Sequence, residues 1–278
     1  MTRSKRQILI YVLLIGLGIV MIYPLLWVLT ASFKSNDEIF ASTRLLPNSI
    51  SFTAFTEGWK AIGQYTYGTF LLNTIKMVVP TVLLTLISST LVAYGFSRFD
   101  FPLKKPLFMI MIATLMLPSS ILIIPRYLIF RNLGWLNTYL PFIMPAALAS
   151  YPFFIYMMVQ FLRGLPKELE ESAYLDGCNS FTTLVLILLP LCKPAIISMC
   201  IFQFIWTWND FFNSLIYING VNKYTLPLAL NMNIDATTNI QWNQIMAMAL
   251  VAMLPCVILF FACQKYFVEG IATSGLKG

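Results

Sequence analysis

The stretch RGLPKELEESAYLDGCNSFTTLVLILLP, residues 163–190, is where the chain changes character. It holds Glu168, Glu170, Glu171 and Asp176, four of the eleven acids in 278 residues. Before it lies a charge-free run, 132–162. Its own end flows into a second, 177–192, which Lys193 alone separates from a third, 194–209. Further charge-free runs cover 7–33, 77–97, 106–125 and 236–264. An α-helix rises about 1.5 Å per residue, so about 20 apolar residues cross a hydrocarbon core. The runs are continuous rather than alternating, which argues against a β-barrel. Composition agrees: 59% of the chain is hydrophobic and 10% charged, where a soluble domain is about 25% charged. The reading is an all-α polytopic membrane protein, one transmembrane domain over 1–278. Six spans are expected, about 9–30, 74–95, 107–125, 139–160, 194–218 and 244–264.

Met1–Arg6 looks like the basic start of a signal peptide, but the apolar run after it is too long and has no small-x-small cleavage site. It reads as a retained first helix. Eleven basic residues fall on one side of the six spans, among them Arg98, Lys104, Lys105, Arg163, Lys167 and Lys193, and seven on the other. Positive charge marks the cytoplasmic side, so both termini are expected there. The net charge of +7 is accounted for by this bias and calls for no nucleic acid. Histidine is absent, which removes the commonest general base and metal ligand. The five cysteines show no metal-site spacing and read as unpaired packing residues. No GxxxxGK[ST] loop is present to cradle a phosphate.

The acidic stretch has the grammar of a short helix. Pro166 suits a first helical position. Glu168, Glu170 and Glu171 sit where the helix dipole favours negative charge, and Gly177 can close the helix in a left-handed cap. That gives about eleven residues, with Leu165, Leu169 and Ala173 on one face. Ser180 is placed to cap a second helix running to Pro190. A mere connector needs only a few residues, so this loop reads as a docking element for a cytoplasmic partner.

Inside the fifth expected span, Gln203, Thr207, Asp210 and Ser214 follow one another at helical spacing, with Asn209 beside them. An acid at a helix centre costs about 2.5 to 3.5 kcal/mol on insertion scales, and less toward the interface. Thr81, Thr85 and Ser88 form a milder stripe in the second span. Each stripe fits either a hydrated path for a polar solute or hydrogen bonding between helices.

Glu171-Ser-Ala173, Gly177, Ile187 and Leu189-Pro190 together resemble the E-A-A-x3-G-x9-I-x-L-P loop of ATP-binding-cassette importer permeases. Ser172 is the one departure, a small residue for a small residue. LPLCKPAI (189–196), TWNDF (207–211), YTLPLAL (224–230) and the tail YFVEGIATSGLKG (266–278) extend the resemblance over nearly the whole chain. They point to the carbohydrate-uptake branch, similar to the smaller subunit of the maltose permease.

The resemblance implies a MetI-like permease fold paired with a second, homologous permease subunit to enclose a pore. It also implies two ATPase subunits, which would bind the ATP and magnesium that this chain does not, and an extracellular solute-binding protein that delivers a sugar. The loop would form a coupling helix, with Glu168, Leu169, Glu171, Ala173, Asp176 and Gly177 at the ATPase. Glu171 would make the polar contact, and Leu169 and Ala173 would pack. The tail 266–278 would reach the ATPase interface, and the outer loop 219–243 would face the binding protein. Gln203, Thr207, Asn209, Asp210 and Ser214 are the candidate lining of the path. A stand-alone secondary transporter or channel is the other reading; it would favour inverted repeats or several intramembrane carboxylates, and Asp210 is the single modest candidate. A membrane-embedded enzyme has no nominated nucleophile or metal ligand set.

Overall fold

The computed structural model describes residues 3–60, 64–235 and 240–275, and among them the regular elements are helices. In chain order these are α1 (Arg3–Ala31), α2 (Asn36–Ala41), α3 (Thr53–Lys60), α4 (Tyr67–Arg98), α5 (Lys104–Thr114), α6 (Ser119–Asn132), α7 (Leu140–Ala147), α8 (Pro152–Arg163) and α9 (Glu168–Leu175). Then follow α10 (Ser180–Leu191), α11 (Lys193–Trp208), α12 (Phe211–Tyr217), α13 (Leu226–Asp235) and α14 (Trp242–Gly275). The side chains of the tail 266–278, and all of 276–278, which include Lys277-Gly278, lie outside the described residues, as do residues 236–239 of the outer loop.

Four helical stretches are long and apolar enough to cross a membrane: Gln7–Ala31, Tyr67–Arg98, Leu140–Arg163 and Trp242–Lys265. Two bent pairs bring the number to six if each is one broken span. The third span, expected as one helix over 107–125, is α5 and α6 bent by 103°. Pro118 stands at that break, itself non-helical at φ −59° and ψ 131°, and a proline also disfavours helical geometry in the residue before it. The fifth, expected over 194–218, ends as a helix at Trp208, and 211–217 is a separate helix, α12. Its start is bent by 80° against α10 at Cys192, between Pro190 and Pro194. Pro24, Pro80 and Pro255, by contrast, lie inside continuous helices.

The chain divides into two compact units. One comprises Met1–Leu71 and Leu226–Pro255. In it Asn36 clips two segments together. Its amide donates to the Ile240 carbonyl at 3.2 Å, and its carbonyl accepts from the Trp242 N–H at 2.8 Å. Gly58 lets α3 approach Met248, where a Cβ would come within 3.1 Å of the methionine side chain.

The other unit comprises Leu72–Thr225 and Cys256–Gly278. Its core is built from Ala93 of α4, Phe154, Met158 and Leu162 of α8, Leu184 and Leu188 of α10, and Met199 of α11. Lipid tails are as apolar as leucine, so within the membrane such packing is held by dispersion and small polar contacts rather than by escape from water. Ser88 supplies one such contact, donating to the Ala146 carbonyl at 2.6 Å. Thr81 and Thr85 are fully buried and bond back to their own helix, at Met77 O (2.7 Å) and Thr81 O (2.8 Å). Within this stripe of the second span Ser88 bonds to another helix, while Thr81 and Thr85 are buried and satisfied by their own.

Candidate functional site

The loop between α8 and α11 is two helices joined by a tight turn. The first, α9, is eight residues long, shorter than the eleven expected, because Pro166 and Lys167 stay outside it. Glu168, Glu170 and Glu171 occupy its first turn. Its end is a complete Schellman motif. Gly177 adopts φ +85°, its N–H donates to Tyr174 O at 3.1 Å, and the Cys178 N–H donates to Ala173 O at 2.9 Å. A left-handed residue is needed here, and glycine takes it without a Cβ penalty. The second helix, α10, is capped by Asn179 and not by Ser180. The Asn179 side chain accepts from the Thr182 N–H at 2.9 Å.

Within α10 the α-helical ladder widens to a π turn over Leu184–Leu188, where the Leu189 N–H reaches back to Leu184 O. The turn lies directly ahead of Pro190, which lacks an N–H and whose ring crowds the carbonyl four residues earlier. Ile187 of the motif thus sits in an irregular turn that starts at buried Leu184, next to buried Thr183, and Leu189 and Pro190 follow it directly.

The faces of α9 differ sharply. Ala173 is 2% exposed and Glu170 is buried, so these two point into the chain. Ala173 was expected at the partner surface; it packs against its own subunit instead. Glu168, Leu169, Glu171, Asp176 and Gly177 are exposed, and so are Tyr174 and Leu175, the last at 89%. Sequence reasoning missed both Tyr174 and Leu175. Leu175 could have been noticed as an apolar residue followed directly by Asp-Gly, where a core side chain is out of place.

It also missed the pairing beneath α9. Glu170 forms an ion pair with Arg98, the last residue of α4, and the two side chains are 10% and 6% exposed. Arg98 Nη2 donates to Leu165 O at 3.1 Å, and the Tyr94 hydroxyl donates to Ser180 O at 3.1 Å. Burial pushes the Glu170 carboxyl above its usual range, and the Arg98 and Lys167 charges pull it back part of the way.

The five residues expected to line a path do not share one helix face. α11 stops at Trp208, and Asp210 caps α12, accepting from the Asn213 N–H at 3.1 Å and from the Asn213 amide at 2.9 Å. Gln203, Thr207 and Ser214 are 2%, 5% and 0% exposed. Gln203 donates to the Thr207 hydroxyl at 2.9 Å. These three are interior residues. Asp210 is half-buried and Asn209 is exposed, its amide donating to Ile205 O at 2.8 Å. One turn before Asn209, Trp206 is 47% exposed and packs on Phe153 and Phe154, with ring centroids 5.3 and 5.1 Å away. Among the described residues no cluster of three His, Cys, Asp or Glu could hold a metal ion, and the five cysteines are free.

The sequence model for the binding-protein-dependent transport system inner membrane component matches residues 86–273. The chain is 36% identical over 257 residues to a probable ABC transporter permease protein, YurM, of Bacillus subtilis; the match covers 92% of this chain and 84% of that one. It is 30% identical over 284 residues to the arabinooligosaccharides transport system permease protein AraQ of Halalkalibacterium halodurans, covering 100% of both. In fold it matches a chain from the crystal structure of a bacterial ABC transporter involved in the import of the acidic polysaccharide alginate. There the TM-score is 0.85 at 24% identity, over 96% of this chain and 99% of that one.

Proposed function

Because the chain belongs to the family of binding-protein-dependent transport system inner membrane components, we propose that it is the permease subunit of an ATP-driven importer for a sugar or oligosaccharide. It forms one half of the translocation pore as a single transmembrane domain, beside a second, homologous permease subunit. Two ATPase subunits bind the ATP and magnesium, and an extracellular solute-binding protein delivers the substrate. Both termini lie in the cytoplasm, on the side of the basic majority. Relatives such as the arabinooligosaccharide permease support a sugar as substrate.

One observation carries the coupling role. α9 is a short helix outside the spans, closed at its C-terminus by a Schellman turn, that turns Glu168, Leu169, Glu171, Tyr174 and Leu175 outward. An exposed apolar tip rimmed by acids suits a partner groove with basic edges. Along the path, Asn209 and Trp206 replace the buried stripe as the residues this chain offers to a solute, an amide beside an aromatic face.

Reconstitution tests the function. Proteoliposomes carrying the whole complex and binding protein should take up labelled oligosaccharide only with ATP on the ATPase side. Uptake driven by an ion gradient without ATP would instead establish the stand-alone transporter.

A further inference from the structure

We propose that the last turn of α4 is the strut that carries force from the docking helix to the second span, with Arg98 and Glu170 as its positioning residues. Tyr94 and Arg98 are four residues apart and share one face of α4. Between them they hold the loop before, within and after α9. Arg98 grips Leu165 O before it, Arg98 pairs with Glu170 inside it, and Tyr94 holds Ser180 O beyond it. The Tyr174 and Ser180 hydroxyls, 3.1 Å apart, tie α9 to α10 and close the frame.

Three anchor points fix the orientation of a short helix, where one would leave it free to swivel. These contacts span 67 to 86 residues of sequence, so they are not a by-product of chain connectivity. Packing of Leu184 and Leu188 in the core already anchors α10. A buried ion pair adds little net stability over apolar side chains of similar size, but it has direction. Arg98 Nη2 donates to Leu165 O while Nε lies in ion-pair contact with Glu170, so one guanidinium touches two points of the loop that a single lysine ammonium would not span. Of the three glutamates in the first turn of α9, Glu170 alone is buried.

This rests on the reading of α9 as the ATPase-docking helix, and the test separates the two. The intact complex is purified with its ATPase, reconstituted with binding protein, and read for ATPase retention, hydrolysis rate and substrate carried per ATP. The central variant is the double substitution Arg98→Met with Glu170→Met, which removes the directed pair without stranding a buried charge. It should keep the ATPase bound and still hydrolyse ATP, while substrate carried per ATP falls about tenfold, within the usual range for coupling between sites. The charge-swapped pair Arg98→Glu with Glu170→Arg should recover part of that loss relative to Arg98→Glu alone. Wild-type coupling in the double-methionine complex would overturn the strut, because packing alone would then suffice. Loss of the ATPase from that complex would also overturn it, because the pair would then serve docking. Separately, Leu175→Glu on the outer face should release the ATPase. If the ATPase stays bound and transport is normal, the docking reading falls, and the strut with it.

Discussion

α9 and α11 each carry polar residues at helical spacing in a greasy chain, and they turn them opposite ways. On α9 the acids Glu168 and Glu171 face out, while Glu170 alone is drawn in to meet Arg98. On α11 the polar residues Gln203 and Thr207 face in and bond to each other, and the exposed ring is Trp206. The environment decides the direction. Outside the membrane an acid loses solvation when buried, so two of three stay in water. Inside the membrane no water waits for an amide, so Gln203 turns to a neighbouring hydroxyl. A polar stripe at period 3.6 therefore marks a surface in one setting and helix-to-helix bonding in the other.

The largest effect expected from breaking this contrast is at the tip of α9. Leu175→Glu should cost about 2 kcal/mol of ATPase binding, the size of an interface hot spot, seen as roughly 30-fold weaker retention in detergent titrations. Glu171→Ala should also weaken retention and uncouple uptake from hydrolysis, while insertion into the membrane stays normal. Gly177→Ala comes next. It forces a Cβ into a left-handed conformation at a cost of about 1–2 kcal/mol, and it should loosen the turn that aims α9, read as faster hydrogen exchange over 174–180. Asn179→Ala removes the cap of α10 and should cost about 1 kcal/mol, read as a lower melting temperature of the complex. On the membrane side, Ser88→Ala removes the bond to Ala146 O for about 0.6 kcal/mol, with transport unchanged. A sharp transport defect at Ser88 with no stability change would reverse the contrast and return that stripe to the path.

Much of the fold is legible in the amino-acid order. The charge-free runs locate the apolar helices, and Gly177 announces the cap that it makes. Three features are not legible there, each for a physical reason. Proline identity does not say whether a helix bends. Pro80 and Pro255 sit in continuous helices while Pro118 marks a 103° break; a membrane helix tolerates proline where its surroundings re-satisfy the freed carbonyl, which the residue itself does not announce. Glu170 and Glu171 differ by one residue, about 100° around the helix. Only knowledge of where Arg98 ends α4 says which of them turns inward. The spacing of Gln203, Thr207, Asp210 and Ser214 makes one face only on an unbroken helix, and the Asp210 carboxylate instead starts a new one.

The most direct measurement is cysteine cross-linking on α9 in the assembled complex, with the five native cysteines replaced. A cysteine at Leu175 should cross-link to the ATPase in high yield, and one at Ala173, which faces the subunit's own interior, should not. Cross-linking at Ala173 with none at Leu175 would contradict the assignment of the outer face of α9 as the place where this permease meets its motor.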